Sequence, residues 1–224
     1  MADTRPRFSY VPISQTFGIS RRGLLVAGLA ALPAKALAAR GQVVTILGDS
    51  ITAGLGLPAE AALPAQLHLA LEKLGVHNVV RGAGVSGDTS GDGANRVDFS
   101  VRPDTAVVVV ALGGNDLLQG IDPRTTRANL DRILVRLKQR HMGVVLTGLR
   151  APPELGRGYA RDFDAVFAGL ARTHGVVLYP DLLAGVGRNP AFNQGDAIHP
   201  NAQGVQIIAG KLAPVVAREL AKRS

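Results

Sequence analysis

Residues Thr105–Leu112 read TAVVVVAL, and no other stretch limits the fold as tightly. An apolar run without polar alternation needs cover on both faces, and a strand obtains that inside a parallel sheet flanked by helices. Four shorter apolar runs share its character: Gln42–Leu47, Asn78–Arg81, Gly143–Gly148 and Gly175–Tyr179. Between them lie helical patterns over Pro64–Leu74, Arg124–Arg140, Tyr159–Thr173 and Ala202–Lys222. In the second, Leu130, Ile133, Leu134 and Leu137 fall at i, i+3, i+4 and i+7, one stripe of a helix. Strand and helix alternate at the interval of a βαβ unit, so the expected class is α/β with a parallel sheet.

The 224 residues suit one such domain. Aromatics are only 4% of the chain and Trp is absent, so its core must be built from Val, Leu, Ile and Ala. The lack of cysteine excludes disulfides, thiolate metal sites and a Cys nucleophile. The formal charge of +8 is uneven. Arg5, Arg7, Arg21, Arg22 and Lys35 against Asp3 alone make residues 1–39 basic, leaving 20 of the 25 basic and 16 of the 17 acidic residues beyond. There the basic residues are scattered, without runs or interleaved aromatics, which fits a solvated face better than a nucleic-acid groove.

Ser20-Arg21-Arg22-Gly23 opens an apolar stretch, Val26–Ala34, that closes on Ala36-Leu37-Ala38-Ala39. A basic start, a short apolar segment and an A-x-A end describe an export signal, and the paired arginines resemble the bacterial twin-arginine type. The stretch is shorter than the roughly 20 residues a bilayer span needs. Residues 1–39 are therefore read as a cleavable signal with residues 40–224 as the domain. The mature protein is then expected in the periplasm or outside the cell, without a stable membrane span.

The irregular stretches Gly82–Ser90, Gly113–Asp122, Gly148–Gly158 and Asp181–Pro200 each follow a strand, on the edge where open α/β sheets bind ligands. Together with Gly48–Leu57 they hold the chemistry. Ser50 follows the first strand in TILGDSITAGLGL, Gly87 follows the second in GAGVSGDTS, and Asn115 follows the third in LGGNDLL. Asp196 and His199 lie in GDAIHPN after the fifth. A hydroxyl, a Gly amide, a carboxamide, a carboxylate and an imidazole at one edge make up the set that acyl transfer requires. Asp196 and His199 are three apart, so one helical turn would align them. Pro200 restrains His199 away from helical angles.

Each residue also has an ordinary structural role to weigh. Ser50 could cap a helix, Asn115 could close a turn, and Gly87 could serve its backbone angle alone. Asp49 is expected to cap the helix or hold its loop, Asp116 to cap the next helix or brace the site, and Gly54 and Gly56 to leave room for substrate. His68, His77, His141 and His174 form no ligand pair, so no metal is called for. No G-x-S-x-G elbow, phosphate-binding G-x-x-x-x-G-K-[ST] or H-E-x-x-H is present. Gly82, Gly84 and Gly87 do spell G-x-G-x-x-G, but after the second strand and without the acidic residue that dinucleotide binding requires.

The ordered set GDS at 48–50, Gly87, GGND at 113–116 and DxxHP at 196–200 resembles the four blocks of the SGNH, or GDSL, hydrolases. VSGDTS and LGGNDLL look most like the thioesterase I, lysophospholipase and arylesterase branch. One departure is Gly82-Ala83-Gly84, where that branch often carries an Asn-containing run. The resemblance implies a three-layer α/β/α sandwich on a flavodoxin-like five-stranded parallel sheet, and a serine esterase or thioesterase without cofactor. It implies Ser50 as nucleophile, His199 as base, Asp196 as its orienter, and the amides of Ser50 and Gly87 with the Asn115 side chain as oxyanion donors. Leu117, Leu118, Leu149, Pro152 and Pro153 would wall an apolar acyl groove for a small ester or thioester. An O-acetylesterase of the same superfamily and a non-catalytic flavodoxin-like binding module are the alternatives, and oligomeric state stays open.

Overall fold

The computed structural model describes residues 41–223, so the signal read over residues 1–39 lies outside the described residues. The five apolar runs are five parallel strands: β1 (Gln42–Gly48), β2 (Asn78–Gly84), β3 (Thr105–Ala111), β4 (Gly143–Thr147) and β5 (Val177–Tyr179). They lie in the order β2-β1-β3-β4-β5. TAVVVVAL is the central strand, with Val107, Val108, Val109 and Val110 all without exposure. That is the two-sided burial its lack of alternation demands.

The helices are α1 (Ser50–Ala53), α2 (Leu63–Lys73), α3 (Ser90–Ser100), α4 (Gly114–Leu118), α5 (Pro123–Gln139), α6 (Arg157–His174) and α7 (Ala202–Ala221). Pairing of α2 with α7, and of α5 with both α3 and α6, makes the two layers around the sheet. The α5 stripe Leu130, Ile133, Leu134 and Leu137 is fully buried. At about 1.5–3 kcal/mol for each such side chain, this face outweighs the helix's polar remainder. Its start is set by Asp122, whose carboxylate accepts from the Arg124 amide at 2.8 Å, and by Pro123. On α6, Tyr159 stacks on Phe163 at a centroid spacing of 6.0 Å, and Phe163 meets Phe167 edge to face at 5.4 Å.

The strand order places the site. From β1 the chain steps to β2 and then returns past β1 to β3, so the direction reverses between β1 and β3. Such a switch point opens a crevice beyond the carboxyl ends of the two strands. Ser50 follows one of those ends and Asn115 the other.

Three sequence expectations are corrected. Strand β2 continues to Gly84 rather than ending at Arg81, because Gly82, Ala83 and Gly84 pair with Ile46, Leu47 and Gly48. Those positions are small where Pro64 and the backbone of α1 press on them, so packing overrides their weak strand propensity. Helix α3 was not expected from SGDGANRVDFS, with its two glycines and few apolar residues. A capping box starts it, Thr89 and Asp92 serving each other's amides. Finally, Asp196–His199 is a turn and not a helical one; Ala197 at φ 59° breaks the spiral.

Candidate active site

At the end of β1 the chain bends sharply into α1. Asp49 is the cap, accepting from the Ile51 amide at 3.0 Å, and Ser50 is the first helical residue. The capping role weighed for Ser50 and for Asp49 thus falls to Asp49, as one of its two expected roles. This leaves the Ser50 hydroxyl free of the helix, and it meets His199 Nε2 at 2.8 Å. The Ser50 amide sits in the first turn, where no intrahelical acceptor exists.

His199 is held from its other side. Its Nδ1 lies 2.6 Å from Asp196 Oδ2. The second carboxylate oxygen accepts from the amides of Ile198 and His199 at 2.9 and 3.0 Å. The His199 amide, its ring and the Ile198 amide hold Asp196 down to about 2, so it remains a carboxylate. An ionised acceptor at Nδ1 keeps the proton there and leaves the Nε2 lone pair toward Ser50. Gln194 anchors the turn: its side chain donates to the carbonyls of Leu55 and Pro200 at 2.8 and 3.1 Å. Gly56 lies directly against that amide and sits at φ 75°, so it makes way for Gln194 and not for substrate as expected.

Gly87 adopts φ 89° in a turn closed by Asp88 N–H to Val85 O at 3.2 Å. A residue with a Cβ is strained at that angle, so the turn selects glycine. The Gly87 amide bonds no acceptor among the described residues. Asn115 donates one Nδ2 hydrogen to the Asp88 carbonyl at 2.8 Å, which fixes the carboxamide and leaves its second hydrogen available. Asp116, fully buried, accepts from Ser90 N at 2.7 Å, Ser90 Oγ at 2.5 Å and Thr126 Oγ1 at 3.0 Å. It braces the site as expected, tying α3 and the turn before it to α4 and α5.

Asp49 has a further role that its capping and loop-holding assignments missed. It is 5% exposed, and burial pushes its carboxyl up to about 6. The Ile51 amide and His199 oppose that rise, and Asp88 adds to it. With Ile51 it lines one end of a groove of about 310 Å³. The expected Leu117, Leu118, Leu149 and Pro152 wall this groove, joined by Leu182, Leu183 and Ile198, with Arg150, Asp181 and Arg188 at its margin. Pro153 instead begins a short 3-10 turn and is not among the lining residues. A larger hollow of about 620 Å³ between α5 and α6 contains none of these residues. No group of three His, Asp or Glu residues capable of holding a metal occurs among the described residues. His174 instead pairs with Asp131 at 2.7 Å, and His68 with Asn78 at 3.1 Å.

Ser50, His199 and Asp196 are therefore one hydrogen-bonded chain, and Gly87 and Asn115 are linked through Asp88. Sequence reasoning did not single out Arg96. It counted among scattered surface charges, yet its side chain is only 19% exposed and reaches the ends of β1 and β2.

Residues 46–207 match the model of the GDSL-like lipase/acylhydrolase family. The chain is 35% identical over 180 residues to the esterase TesA of Pseudomonas aeruginosa, covering 80% of this chain and 90% of that protein. It is 36% identical over 177 residues to thioesterase 1/protease 1/lysophospholipase L1 of Escherichia coli K12, covering 79% and 84%. Among solved structures it resembles AlinE4, an SGNH-hydrolase family esterase, with a TM-score of 0.68 and 39% identity over 80% of this chain and 97% of that one.

Proposed function

The chain belongs to the GDSL-like lipase/acylhydrolase family and acts on ester bonds, and we propose that it does so through an acyl-enzyme formed on Ser50. The observation that carries this reading is the unbroken relay Ser50 Oγ, His199 and Asp196, with contacts of 2.8 and 2.6 Å. As Oγ attacks the carbonyl carbon of an ester or thioester, His199 Nε2 takes its proton and Asp196 steadies the resulting imidazolium. The carbonyl oxygen becomes an oxyanion facing the amides of Ser50 and Gly87 and the free Nδ2 hydrogen of Asn115. Collapse expels the alcohol or thiol, which receives the proton from His199. Water, deprotonated by the same imidazole, then cleaves the acyl–Ser50 bond. No step calls for a metal or cofactor.

The groove beside Ser50 favours an acyl chain over acetyl, because an acetyl group would leave most of its apolar wall uncovered. Each methylene that enters is worth about 0.8 kcal/mol, up to about fourfold in kcat/KM. The test is hydrolysis of p-nitrophenyl esters from acetyl to dodecanoyl, with an acyl thioester alongside. A rise in kcat/KM beyond acetyl supports the reading, and an enzyme active on acetylated sugars but idle on octanoate favours an O-acetylesterase.

Residues 1–39 are proposed as a twin-arginine export signal, on the strength of Arg21-Arg22 before the apolar stretch. N-terminal sequencing of the active protein from the periplasm should start near Ala39 or Arg40. A start at Met1 or Ala2 rejects the signal. No helix among the described residues is long and apolar enough to cross a membrane.

A further inference from the structure

The guanidinium of Arg96 bonds the ends of β1 and β2 and the turn that follows β2 at once. Its Nε donates to Asp88 Oδ2 at 2.5 Å, Nη1 to the Ala83 carbonyl at 2.9 Å and to Ser100 Oγ at 3.0 Å, and Nη2 to the Gly48 carbonyl at 2.8 Å. Gly48 is the last residue of β1, two before Ser50. Ala83 is near the end of β2. Asp88 directly follows Gly87, and its own carbonyl receives Asn115 Nδ2 at 2.8 Å.

We propose that Arg96 is the positioning residue of the oxyanion site, one guanidinium that sets the Ser50, Gly87 and Asn115 donors relative to one another. The inference rests on the reading of those three groups as oxyanion donors. The Arg96–Asp88 pair is mostly buried, with side chains 19% and 11% exposed. A buried ion pair is a poor stabiliser beside well-packed apolar residues of the same volume, so stability alone does not account for it. Geometry does. A planar fork with five N–H donors reaches two strand-end carbonyls and a carboxylate at fixed angles, which a lysine ammonium on its flexible stem cannot do. Donors to an oxyanion must be held within about 0.5 Å to work. Each of the three belongs to a different loop, and the strand pairing beneath them stops at Gly48 and Gly84.

The experiment compares kcat and KM of wild type, Arg96→Lys, Asp88→Asn, Asn115→Ala and Arg96→Lys/Asn115→Ala on p-nitrophenyl butyrate, with far-UV circular dichroism to establish folding. Arg96→Lys is expected to lower kcat about 10- to 100-fold, with KM changed by less than about threefold. The double variant should fall by less than the product of the two single losses, because both disturb the same donors. A folded Arg96→Lys with kcat within about twofold of wild type, or with an effect on KM alone, overturns the proposal. Should Arg96→Lys fail to fold, Asp88→Asn decides, since it leaves the Gly48 and Ala83 anchors in place. A several-fold loss of kcat there supports the proposal, and an unchanged kcat overturns it. If Asn115→Ala itself keeps full kcat, the oxyanion reading falls and this inference with it. If Asn115→Ala loses kcat while folded Arg96→Lys does not, only the positioning role fails.

Discussion

Replacing Asp49 by Asn exchanges a carboxylate for an amide of the same shape, and its effect on stability should depend on pH. Burial beside Gly114 moves the Asp49 carboxyl from 3.8 to about 6. Between those values the folded chain keeps a proton that the unfolded chain has lost. Folding then takes up a proton, so stability falls as pH rises through this window and the loss is complete above it. With about 1.4 kcal/mol for each pH unit between the two titration points, ionised Asp49 costs the fold about 3 kcal/mol near neutrality. Asparagine carries no charge, and its Oδ1 can still accept from the Ile51 amide. Urea unfolding of both proteins at about pH 4 and about pH 7.5 reads the difference. About 0.5 kcal/mol of this is already lost at pH 4, so the variant should gain about 2.5 kcal/mol over wild type between the two conditions. A gap that stays constant, or that turns in favour of wild type as pH rises, refutes the placement of a buried, proton-retaining carboxyl beside Ser50.

Asp196→Asn should lower kcat about 10²- to 10⁴-fold at neutral pH, because the amide no longer holds the His199 tautomer; steady-state kinetics checks it. Gly87→Ala meets open space at its Cβ, so it should lose only the backbone term, about 1–2 kcal/mol in thermal or urea unfolding, together with part of kcat. Among the described residues Thr52 Oγ1 is buried without a partner, so Thr52→Val should stabilise the protein by about 1 kcal/mol in the same unfolding assay.

Most of the fold could be read from hydrophobic period alone. The Val107–Val110 run and the Leu130–Leu137 stripe declare strand and helix because burial in each case covers the face that the period defines. Helix α3 escaped because its residues carry little apolar signal; Thr89, Asp92 and the Asp116 network hold its start instead. The extension of β2 escaped because Gly82 and Gly84 are small for the sake of α2 and α1, neighbours distant in sequence. At the site, Ser50, Asn115, Asp196 and His199 were legible because each follows a strand in a short polar motif. Arg96 was not, since a lone arginine on a helix looks the same whether it faces solvent or the carboxylate and carbonyls at the strand ends. The altered titration of Asp49 depends on enclosure, which no local pattern reports.

The most direct measurement is labelling with a fluorophosphonate followed by peptide mass spectrometry. A nucleophile activated by His199 should give one adduct, on the peptide carrying Ser50, with labelling lost in Ser50→Ala and slowed in His199→Ala. An adduct on another serine, or hydrolysis of p-nitrophenyl esters that persists in Ser50→Ala, would contradict the acyl-Ser50 mechanism.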